Sequence, residues 1–538
     1  MGEQVTRRGF VAATLPAGGV LAGAAGPAQA AASLRLVPTP WDSMDAQALQ
    51  AAMAAGRLNA LRLTRHYLRR IAAVDHGGPQ LRAVIELNPD ALAQARQADA
   101  ERQAGRVRGP LHGLPVLIKD NIASADRMAT TAGSLSLDGL HAQRDSQVVM
   151  RLREAGAVVL GKTNLSEWAN IRSTRSSSGW SSRGGQTRNP HVLNRSTSGS
   201  SSGSAAAASA GLCALAIGTE TDGSICSPAS LCGVVGLKPT VGLVSRAGII
   251  PISASQDTAG PMVRHVRDAA LLLQSLAGRD ERDAVTAAMP ASLPDYAAAL
   301  RPDALRGARL GVVRSAVPQQ PGVAARFEEA LAVLREQGAE LVDPVAVPPR
   351  DKHRDAELTV LLCELKDGLA AYLRDYQADA AVKTLGDVIA WNRAHEAAAM
   401  PHFAQELFDR AEVTQGLDTP GYREALATCR RVARDEGLDP LFAEQRLDAL
   451  VGPTGSVAWP IDHLLGDHFG GGGFGSILAV AGYPHLTVPM GTVAGLPVGL
   501  SFGTLAWQEA KLLALGYAYE QASRRRPVPQ FLAETGVS

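Results

Sequence analysis

The chain has 538 residues, of which 46% are hydrophobic and 20% are charged, and its formal net charge is +1. This balance is typical of a well-buried globular protein, and it lacks the basic stripe of a nucleic-acid-binding protein. No apolar run is long enough to predict a membrane span. We therefore expect no nucleic-acid partner and no stable membrane anchor.

The N-terminus carries an export pattern. Thr6-Arg7-Arg8-Gly9-Phe10 precedes a mildly apolar run, which ends at Ala28-Gln29-Ala30. A charged start, a short apolar middle and an Ala-x-Ala end predict a secretory signal, and the paired arginines indicate the twin-arginine type. The alternative is a plain cationic tail. We predict a signal over residues 1–30, a periplasmic or secreted location, and a single domain over residues 31–538.

Strands and helices alternate through the first half of the chain. Apolar spacing predicts helices at 44–56 and 63–74, a strand at 82–87, a helix from 88 to about 105, a strand ending at Lys119, a helix at 145–156 and a strand at 157–161. Residues 171–199 are polar and rich in Ser, Gly and Arg, and we interpret them as an ordered loop that leads into a site. Short strands are then predicted at 212–217 and 234–237, and the segment 241–252 is expected to continue the core.

The second half repeats the alternation. Residues 308–314, 323–337 and 339–342 predict a strand–helix–strand unit, and 351–440 looks mostly helical and is expected to cover the site. Strands at 448–452, 486–489 and 497–502 precede a closing helix at 506–523, and a glycine run occupies 470–473. This alternation predicts an α/β fold with a partly parallel sheet.

Two small-residue loops flank the 212–217 strand. The first contains Ser198-Gly199-Ser200-Ser201-Ser202-Gly203-Ser204, and the second is Gly218-Thr-Glu-Thr-Asp-Gly-Ser-Ile-Cys-Ser-Pro-Ala229. In the second loop the backbone N–H groups of Thr221, Asp222, Gly223 and Ser224 precede a predicted helix, where unpaired amides could stabilise a developing oxyanion. Gly223 would let the backbone approach a substrate closely. The alternative is that Ser224 is only a helix N-cap.

These loops, together with Leu114-Pro-Val-Leu-Ile-Lys119-Asp-Asn121 upstream, resemble the amidase signature family, and the resemblance covers nearly all of residues 31–538. It implies an α/β fold with a large mixed, twisted β-sheet between many α-helices, a signature core at about 80–270 and a helical cover at about 351–440. It also implies Ser224 as nucleophile, Ser200 as proton relay and Lys119 as base, with a cis peptide at Ser200–Ser201. The alternative for Lys119 is a surface ion pair with Asp120.

A lysine that accepts a proton must be neutral, and its ordinary pKa is about 10.4. Burial of the segment around Leu117 and Ile118 would favour the neutral form. A rival pattern is Gly199-x-Ser201-x-Gly203, the nucleophile elbow of α/β-hydrolases. That elbow requires a hydrophobic strand before it, whereas residues 188–197 are polar. A phosphate-binding loop would require a Gly-Lys-Ser/Thr ending, which this stretch lacks.

Within the family, the segments around Asp222 and around Ser255-Gln-Asp257 most resemble bacterial peptide amidases, which remove the C-terminal amide of peptides. Two positions depart from the family pattern: Asp222 replaces a Gly, and Cys226 replaces an Arg that could pair with a carboxylate. We therefore do not expect substrates with a carboxylate beside the scissile amide. Asp257 is expected to be a structural hydrogen-bond acceptor near the Ser224 loop.

The sequence thus predicts an enzyme that releases ammonia from small-molecule or peptide amides, with no cofactor or metal, as a monomer or homodimer. Three alternatives stay open. They are a general aliphatic or aryl amidase, a glutaminase like the amidase-type component of amidotransferases, and an inactive periplasmic binding protein on the same fold. The five cysteines, at 213, 226, 232, 363 and 429, show no metal spacing and leave a single disulfide open.

Overall fold

The computed structural model describes residues 39–535. The export signal predicted at residues 1–30 lies outside this range. Within it, eleven strands form one mixed sheet, and two further strands form a short ribbon. In chain order the strands are β1 (Val84–Leu87), β2 (Pro115–Lys119), β3 (Val158–Thr163), β4 (Trp180–Ser181), β5 (Gly185–Gln186), β6 (Leu215–Glu220), β7 (Val235–Lys238), β8 (Thr258–Val263), β9 (Arg309–Val312), β10 (Glu340–Val342), β11 (Ala449–Pro453), β12 (His485–Val493) and β13 (Leu496–Gly503).

Sixteen α-helices in the same range pack around the sheet. They are α1 (Ala46–Ala54), α2 (Ala60–Arg70), α3 (Ala91–Gln103), α4 (Gln147–Glu154), α5 (Ser202–Ser209), α6 (Cys226–Leu231), α7 (Val266–Leu276), α8 (Pro321–Glu336), α9 (Arg354–Tyr376), α10 (Leu385–Ala394), α11 (Glu396–Ala399), α12 (Glu406–Glu412), α13 (Pro420–Arg430), α14 (Asp439–Gln445), α15 (Gly475–Ala481) and α16 (Glu509–Ser523). The predicted α/β class with a large mixed sheet is confirmed. No helix in the described range has the combined length and apolar character that crossing a membrane requires.

The sheet runs in the order β1-β3-β2-β6-β8-β7-β12-β13-β11-β9-β10. Near one edge, β2 lies between β3 and β6 and is parallel to both. The carboxyl ends of these three strands therefore meet at one border of the sheet, where ligand sites of α/β proteins are commonly found. Lys119 is the last residue of β2, and Glu220 is the last residue of β6.

Glycines allow the chain to pack closely beneath this border. A Cβ on Gly203 would lie 2.3 Å from the Ala83 carbonyl oxygen, and one on Gly218 would lie 2.7 Å from the Ser201 hydroxyl. Distances this short exclude any larger residue at either position. All eight residues of α5 are buried, which explains why this helix consists of Ser, Gly and Ala.

Most elements predicted from the sequence are present. The strand–helix–strand unit of the second half is β9, α8 and β10, with β9 and β10 parallel. Residues 351–440 contain helices α9 to α13. The segment 241–252 forms isolated bridges, Val241 with Val244 and Ile249 with Ile122, so it packs as an irregular stretch. All five cysteines are buried and unpaired, which resolves the open question of a disulfide.

Candidate active site

The Lys119 ammonium nitrogen lies at the centre of a cluster of hydroxyl groups. Its Nζ is 2.7 Å from Ser200 Oγ, 3.0 Å from Ser201 Oγ and 2.9 Å from Thr219 Oγ1. The Thr219 carbonyl oxygen is a fourth neighbour at 3.2 Å. The side chain is 0% exposed. Lys119 is therefore no surface ion pair, and the sequence alternative of a pair with Asp120 is wrong.

Burial dominates the electrostatics of Lys119. It lowers the pKa of the amine to about 7, although the negative charges of Asp257 and Glu220 act in the opposite direction. A lysine in this position is largely deprotonated slightly above neutral pH. It can then accept a proton from a hydroxyl group.

The hydrogen bonds indicate which hydroxyl could donate to Lys119. Ser201 Oγ donates its proton to the Thr219 carbonyl oxygen at 2.9 Å and accepts from the Thr219 amide at 3.1 Å. Because a hydroxyl has one proton, Ser201 can only accept from Lys119. Ser200 has no such commitment to a carbonyl group and lies closer to Nζ. The geometry thus separates two adjacent serines that the sequence pattern alone does not distinguish.

Ser200 and Ser224 belong to loops that touch directly. The Ser201 amide donates to the Ser224 carbonyl oxygen at 3.1 Å. A cis peptide is present in the first loop, at Gly199–Ser200. The sequence expectation placed it one bond later, at Ser200–Ser201, and is wrong. With the bond before Ser200 in the cis form, the Ser200 carbonyl oxygen accepts from the Ser166 amide at 3.0 Å.

The second loop forms a turn of free amides. Gly223 has φ +80°, a left-handed conformation that favours glycine, and a Cβ there would meet nothing within 4 Å. Among the described residues, the amides of Asp222, Gly223 and Ser224 have no backbone acceptor, whereas Ile225 and Cys226 both donate to the buried Glu220 carboxylate, at 2.7 and 3.0 Å. Helix α6 begins at Cys226, two residues after Ser224. The candidate oxyanion donors therefore belong to the turn before the helix.

Asp257 supports this turn from below. Its carboxylate accepts from the Thr221 hydroxyl at 2.5 Å and from the amides of Ile252 and Ser253 at 2.8 and 2.9 Å. This is the structural acceptor that the sequence predicted. Cys226, at the position of the family's Arg, is buried, with Sγ 3.5 Å from the His485 carbonyl oxygen. The side chain at this position therefore carries no positive charge.

A cavity of about 980 Å³ opens against both loops. Gly199, Asp222 and Gly223 contribute to its wall next to Ser200 and Ser224, and Phe474, Trp459 and Phe469 contribute aromatic surface farther out. Ser224 itself is 8% exposed. The glycine run at 470–473 also reaches the cavity, through Gly472 and Gly473. Trp180, another suspected pocket residue, packs instead against Phe403 and His402.

Several cavity residues carry no sequence signal. Arg350 and His353, just before α9, and Ser476, in α15, approach the Asp222 side chain although they lie more than 120 positions away in the chain. A separate trio of buried side chains, Glu220, Cys226 and His485, places possible metal-ligand atoms within 4.8 Å of one another. Buried Lys238 adjoins this trio, and its positive charge lowers the pKa of His485 and would oppose a bound cation.

Comparison with known proteins identifies the class to which this fold and site belong. The Amidase family model matches residues 62–513, so the chain belongs to the amidase family and is an amide-hydrolysing enzyme. A native peptide amidase from Stenotrophomonas maltophilia has a similar structure, with a TM-score of 0.89 and 54% identity, over 92% of this chain and 100% of that one.

Two curated relatives show how broad the family is. A probable amidase of Arabidopsis thaliana is 42% identical over 489 residues, which is 89% of each chain. The amidase-type component of the glutamyl-tRNA(Gln) amidotransferase of Chloroflexus aurantiacus is 39% identical over 488 residues, which is 88% of this chain and 95% of that protein. The family is therefore established, whereas these relatives differ in the reactions that their names describe.

Proposed function

We propose that this enzyme hydrolyses carboxamides to carboxylates and ammonia through a Ser-Ser-Lys acyl-enzyme mechanism, and that C-terminal peptide amides are its substrates. The observation that carries the chemistry is the buried contact of 2.7 Å between Lys119 Nζ and Ser200 Oγ. It joins a base of lowered pKa to a hydroxyl whose proton is not already donated to a carbonyl group.

In the first half of the reaction, Ser224 Oγ attacks the amide carbon. The Ser224 proton passes to Ser200 while Ser200 gives its own proton to Lys119. The carbonyl oxygen becomes an oxyanion, which accepts hydrogen bonds from the free amides of the turn at 222–224. Proton return from Lys119 through Ser200 to the amide nitrogen lets ammonia leave, and Ser224 is left as an ester.

The second half uses the same groups in reverse roles. Lys119 and Ser200 take a proton from a water molecule as it attacks the ester. The tetrahedral intermediate collapses, the proton returns to Ser224, and the carboxylate product departs. Every proton that Lys119 takes up is returned within the cycle, so the proposed mechanism needs no other acid or base.

The size of the cavity and the similarity to a peptide amidase support the peptide-amide substrate. A space of about 980 Å³ is in the upper range of ligand pockets and exceeds what a simple aliphatic amide would fill. With Cys226 in place of a cation, nothing at that position favours a substrate carboxylate next to the scissile amide. Glutamine is the second candidate substrate, because the chain is also 39% identical to a component of an amidotransferase.

The experiment is ammonia release by the purified enzyme on three sets of amides. These are N-acetylated dipeptide amides, simple aliphatic and aryl amides, and glutamine. We expect the peptide amides to have the highest kcat/KM. Equal or higher values for simple amides would discard the peptide substrate and keep the mechanism, whereas activity on glutamine alone would favour the glutaminase. An enzyme that neither turns over any of them nor reacts with a fluorophosphonate would support the inactive binding protein.

We also propose that the protein is exported by the twin-arginine route. The support is the sequence Thr6-Arg7-Arg8-Gly9-Phe10 with its apolar run and Ala28-Gln29-Ala30. Replacing Arg7 and Arg8 by Lys in the full-length chain should retain the enzyme inside the cell with an uncleaved N-terminus. Continued secretion of that variant would contradict the proposal.

A further inference from the structure

Asp222 is the charged residue of the candidate oxyanion turn, and it stands where the family pattern has glycine. Its carboxylate reaches away from the backbone into the cavity wall. Oδ2 accepts from the Ser476 hydroxyl at 2.9 Å and lies 3.4 Å from an Arg350 guanidinium nitrogen. Arg350 has a side chain that is 61% exposed, so water screens much of its charge.

A second carboxyl group meets Asp222 from the helical cover. Glu357, in the first turns of α9, is only 3% exposed and its carboxyl contacts that of Asp222. Glu357 Oε1 also accepts from Gln256 Nε2 at 3.1 Å, and the same amide nitrogen lies 3.3 Å from the Thr221 carbonyl oxygen. Glu357 is thus linked to the turn at both Thr221 and Asp222.

Two buried carboxyl groups in contact cannot both be ionised at low cost. Burial, followed by the negative charge of Asp222, raises the pKa of Glu357 to about 8, against the opposing effects of Gln256 and Arg350. His353, on the cavity side, has its pKa lowered by burial and so adds no positive charge at neutral pH. From α13, Cys429 faces the same group, and burial raises the pKa of its thiol to about 12, so that it stays neutral.

We propose that Glu357 is a positioning residue whose carboxyl proton, donated to the Asp222 carboxylate, holds the turn at 221–224 in place against α9. The inference rests on the proposed function, because the position of the turn matters only if its amides stabilise the oxyanion. Asp222 and Glu357 then form one device, since a glycine at 222 would leave Glu357 without its acceptor. Loss of the Glu357 proton places two negative charges against each other and loosens the turn.

This device predicts an alkaline limit to activity that is separate from the ionisation of Lys119. Lys119 becomes neutral as the pH rises and stays neutral, so it sets only the acid limb. Glu357 loses its proton on the alkaline side, and kcat should then fall while KM changes little. A loosened turn weakens transition-state stabilisation more than it weakens binding of the ground state.

The test compares wild type with Glu357→Gln from pH 6 to 10 on one peptide amide. Glutamine keeps both hydrogen bonds, because its carbonyl can accept from Gln256 and its amide can donate to Asp222, but it has no proton to lose. We expect wild-type kcat to fall about tenfold per pH unit above its alkaline pKa, as for loss of one proton. The variant should match wild type at pH 7 and stay level to at least about one pH unit higher.

Two further variants sharpen the result. Asp222→Asn removes the charge that Glu357 would face and should also weaken the alkaline limb. Glu364→Gln is the matched control, since Glu364 is buried on the same helix and bonds to Ser253, Ser255 and Tyr422 instead. It should leave the limb unchanged. An unaltered alkaline limb in Glu357→Gln, or a change in KM alone, would overturn the inference.

Hydrogen exchange of the peptide covering 221–224 separates this inference from the proposed function. After correction for intrinsic rates, wild type should lose protection between pH 7 and 9, and Glu357→Gln should keep it. Equal protection of wild type at both pH values would overturn the inference even in an enzyme with no measured turnover. Absence of ammonia release with the expected exchange behaviour would instead count against the proposed function.

Discussion

Two lysines on neighbouring strands of the sheet are both completely buried, yet their surroundings differ. Lys119 ends β2 among hydroxyl groups. Lys162, in β3, donates to the Ile122 carbonyl oxygen at 2.5 Å and to the Thr130 hydroxyl at 2.9 Å. Burial lowers the pKa of Lys162 to about 8, and the carboxylates of Asp120, Asp126 and Glu86 act against this shift.

The comparison shows that burial and a lowered pKa do not by themselves make a lysine a base. Lys162 has a carbonyl group as its closest partner, which can only accept, and nearby carboxylates favour its charged form. Lys119 has Ser200, whose hydroxyl proton is free to be given up. The assignment of Lys119 as the base therefore depends on the hydrogen-bond partners, and each prediction below changes one side of this comparison.

The largest expected effect is on turnover. Lys119→Met should lower kcat/KM on a peptide amide by at least about 10³-fold, since it removes the general base. Lys162→Met should stay within about tenfold of wild type per folded molecule, because it lies outside the relay. Initial ammonia-release rates, normalised to folded protein by circular dichroism, measure both. Similar losses in the two variants would contradict the distinction between the lysines.

Stability should respond in the opposite order. Lys162→Met removes the cation nearest to buried Asp120 and should reduce the free energy of unfolding by about 3–5 kcal/mol. Lys119→Met removes a lysine whose pKa of about 7 in the folded state, against 10.5 when unperturbed, corresponds to a cost of about 5 kcal/mol at low pH. It should therefore unfold no more easily than wild type at pH 7 in urea titrations. A clear destabilisation by Lys119→Met alone would contradict the prediction.

The pH dependence of stability follows with a definite sign. Between pH 7 and 10.5 the unfolded chain binds more protons at Lys119 than the folded chain does, so the stability contributed by this site rises with pH. The gain from pH 7 to 9 should be about 2–3 kcal/mol smaller in Lys119→Met than in wild type. Urea denaturation at the two pH values provides the measurement. An equal gain in both proteins would place the pKa of Lys119 near its ordinary value.

On the acid side, activity should follow the neutral form of Lys119. We expect kcat/KM to fall about tenfold per pH unit below an apparent pKa near 7 and to level off above it. A rate profile of wild type from pH 5 to 7.5 checks this. An acid limb centred near pH 4 would indicate a carboxylate base instead.

The smallest effect concerns the second serine at Lys119. Ser201→Ala removes a bond to the Thr219 carbonyl oxygen and one acceptor of Lys119, but not the proposed relay, and should reduce kcat about tenfold. Ser200→Ala should reduce it by at least about another tenfold. Kinetics of the two variants side by side decide between these serines. A larger loss in Ser201→Ala would support Ser201 as the relay.

Much of the fold was predictable because its signals are local. The strand at Lys119, the α5 helix and the β9–α8–β10 unit follow from apolar spacing and small-residue runs over ten or twenty residues. Local patterns were less successful where the chain has no regular ladder. The segment 241–252 is apolar like a strand, yet its backbone pairs only at single bridges.

The site was predictable in part. Lys119, Ser200 and Ser224 lie on loops with a long, restrictive motif, and the structure brings these loops together. Gln256 and Glu357 could not be found from the sequence, because their importance depends on tertiary contacts with Thr221 and Asp222 across more than 30 and 130 positions. The cis peptide was misplaced by one residue for a related reason. In a run of serines, only the three-dimensional hydrogen bonds show which peptide unit faces Ser166.

The measurement that tests the proposed mechanism most directly is labelling with a fluorophosphonate, followed by mass mapping of the adduct. The proposed mechanism predicts one adduct on Ser224 at a rate that rises through an apparent pKa near 7. Labelling should be lost in Ser224→Ala, be strongly slowed in Lys119→Met and be unaffected in Ser275→Ala, a serine on α7 bonded to Leu271. An adduct on Ser200 or Ser201, or labelling of Lys119→Met at the wild-type rate, would contradict it.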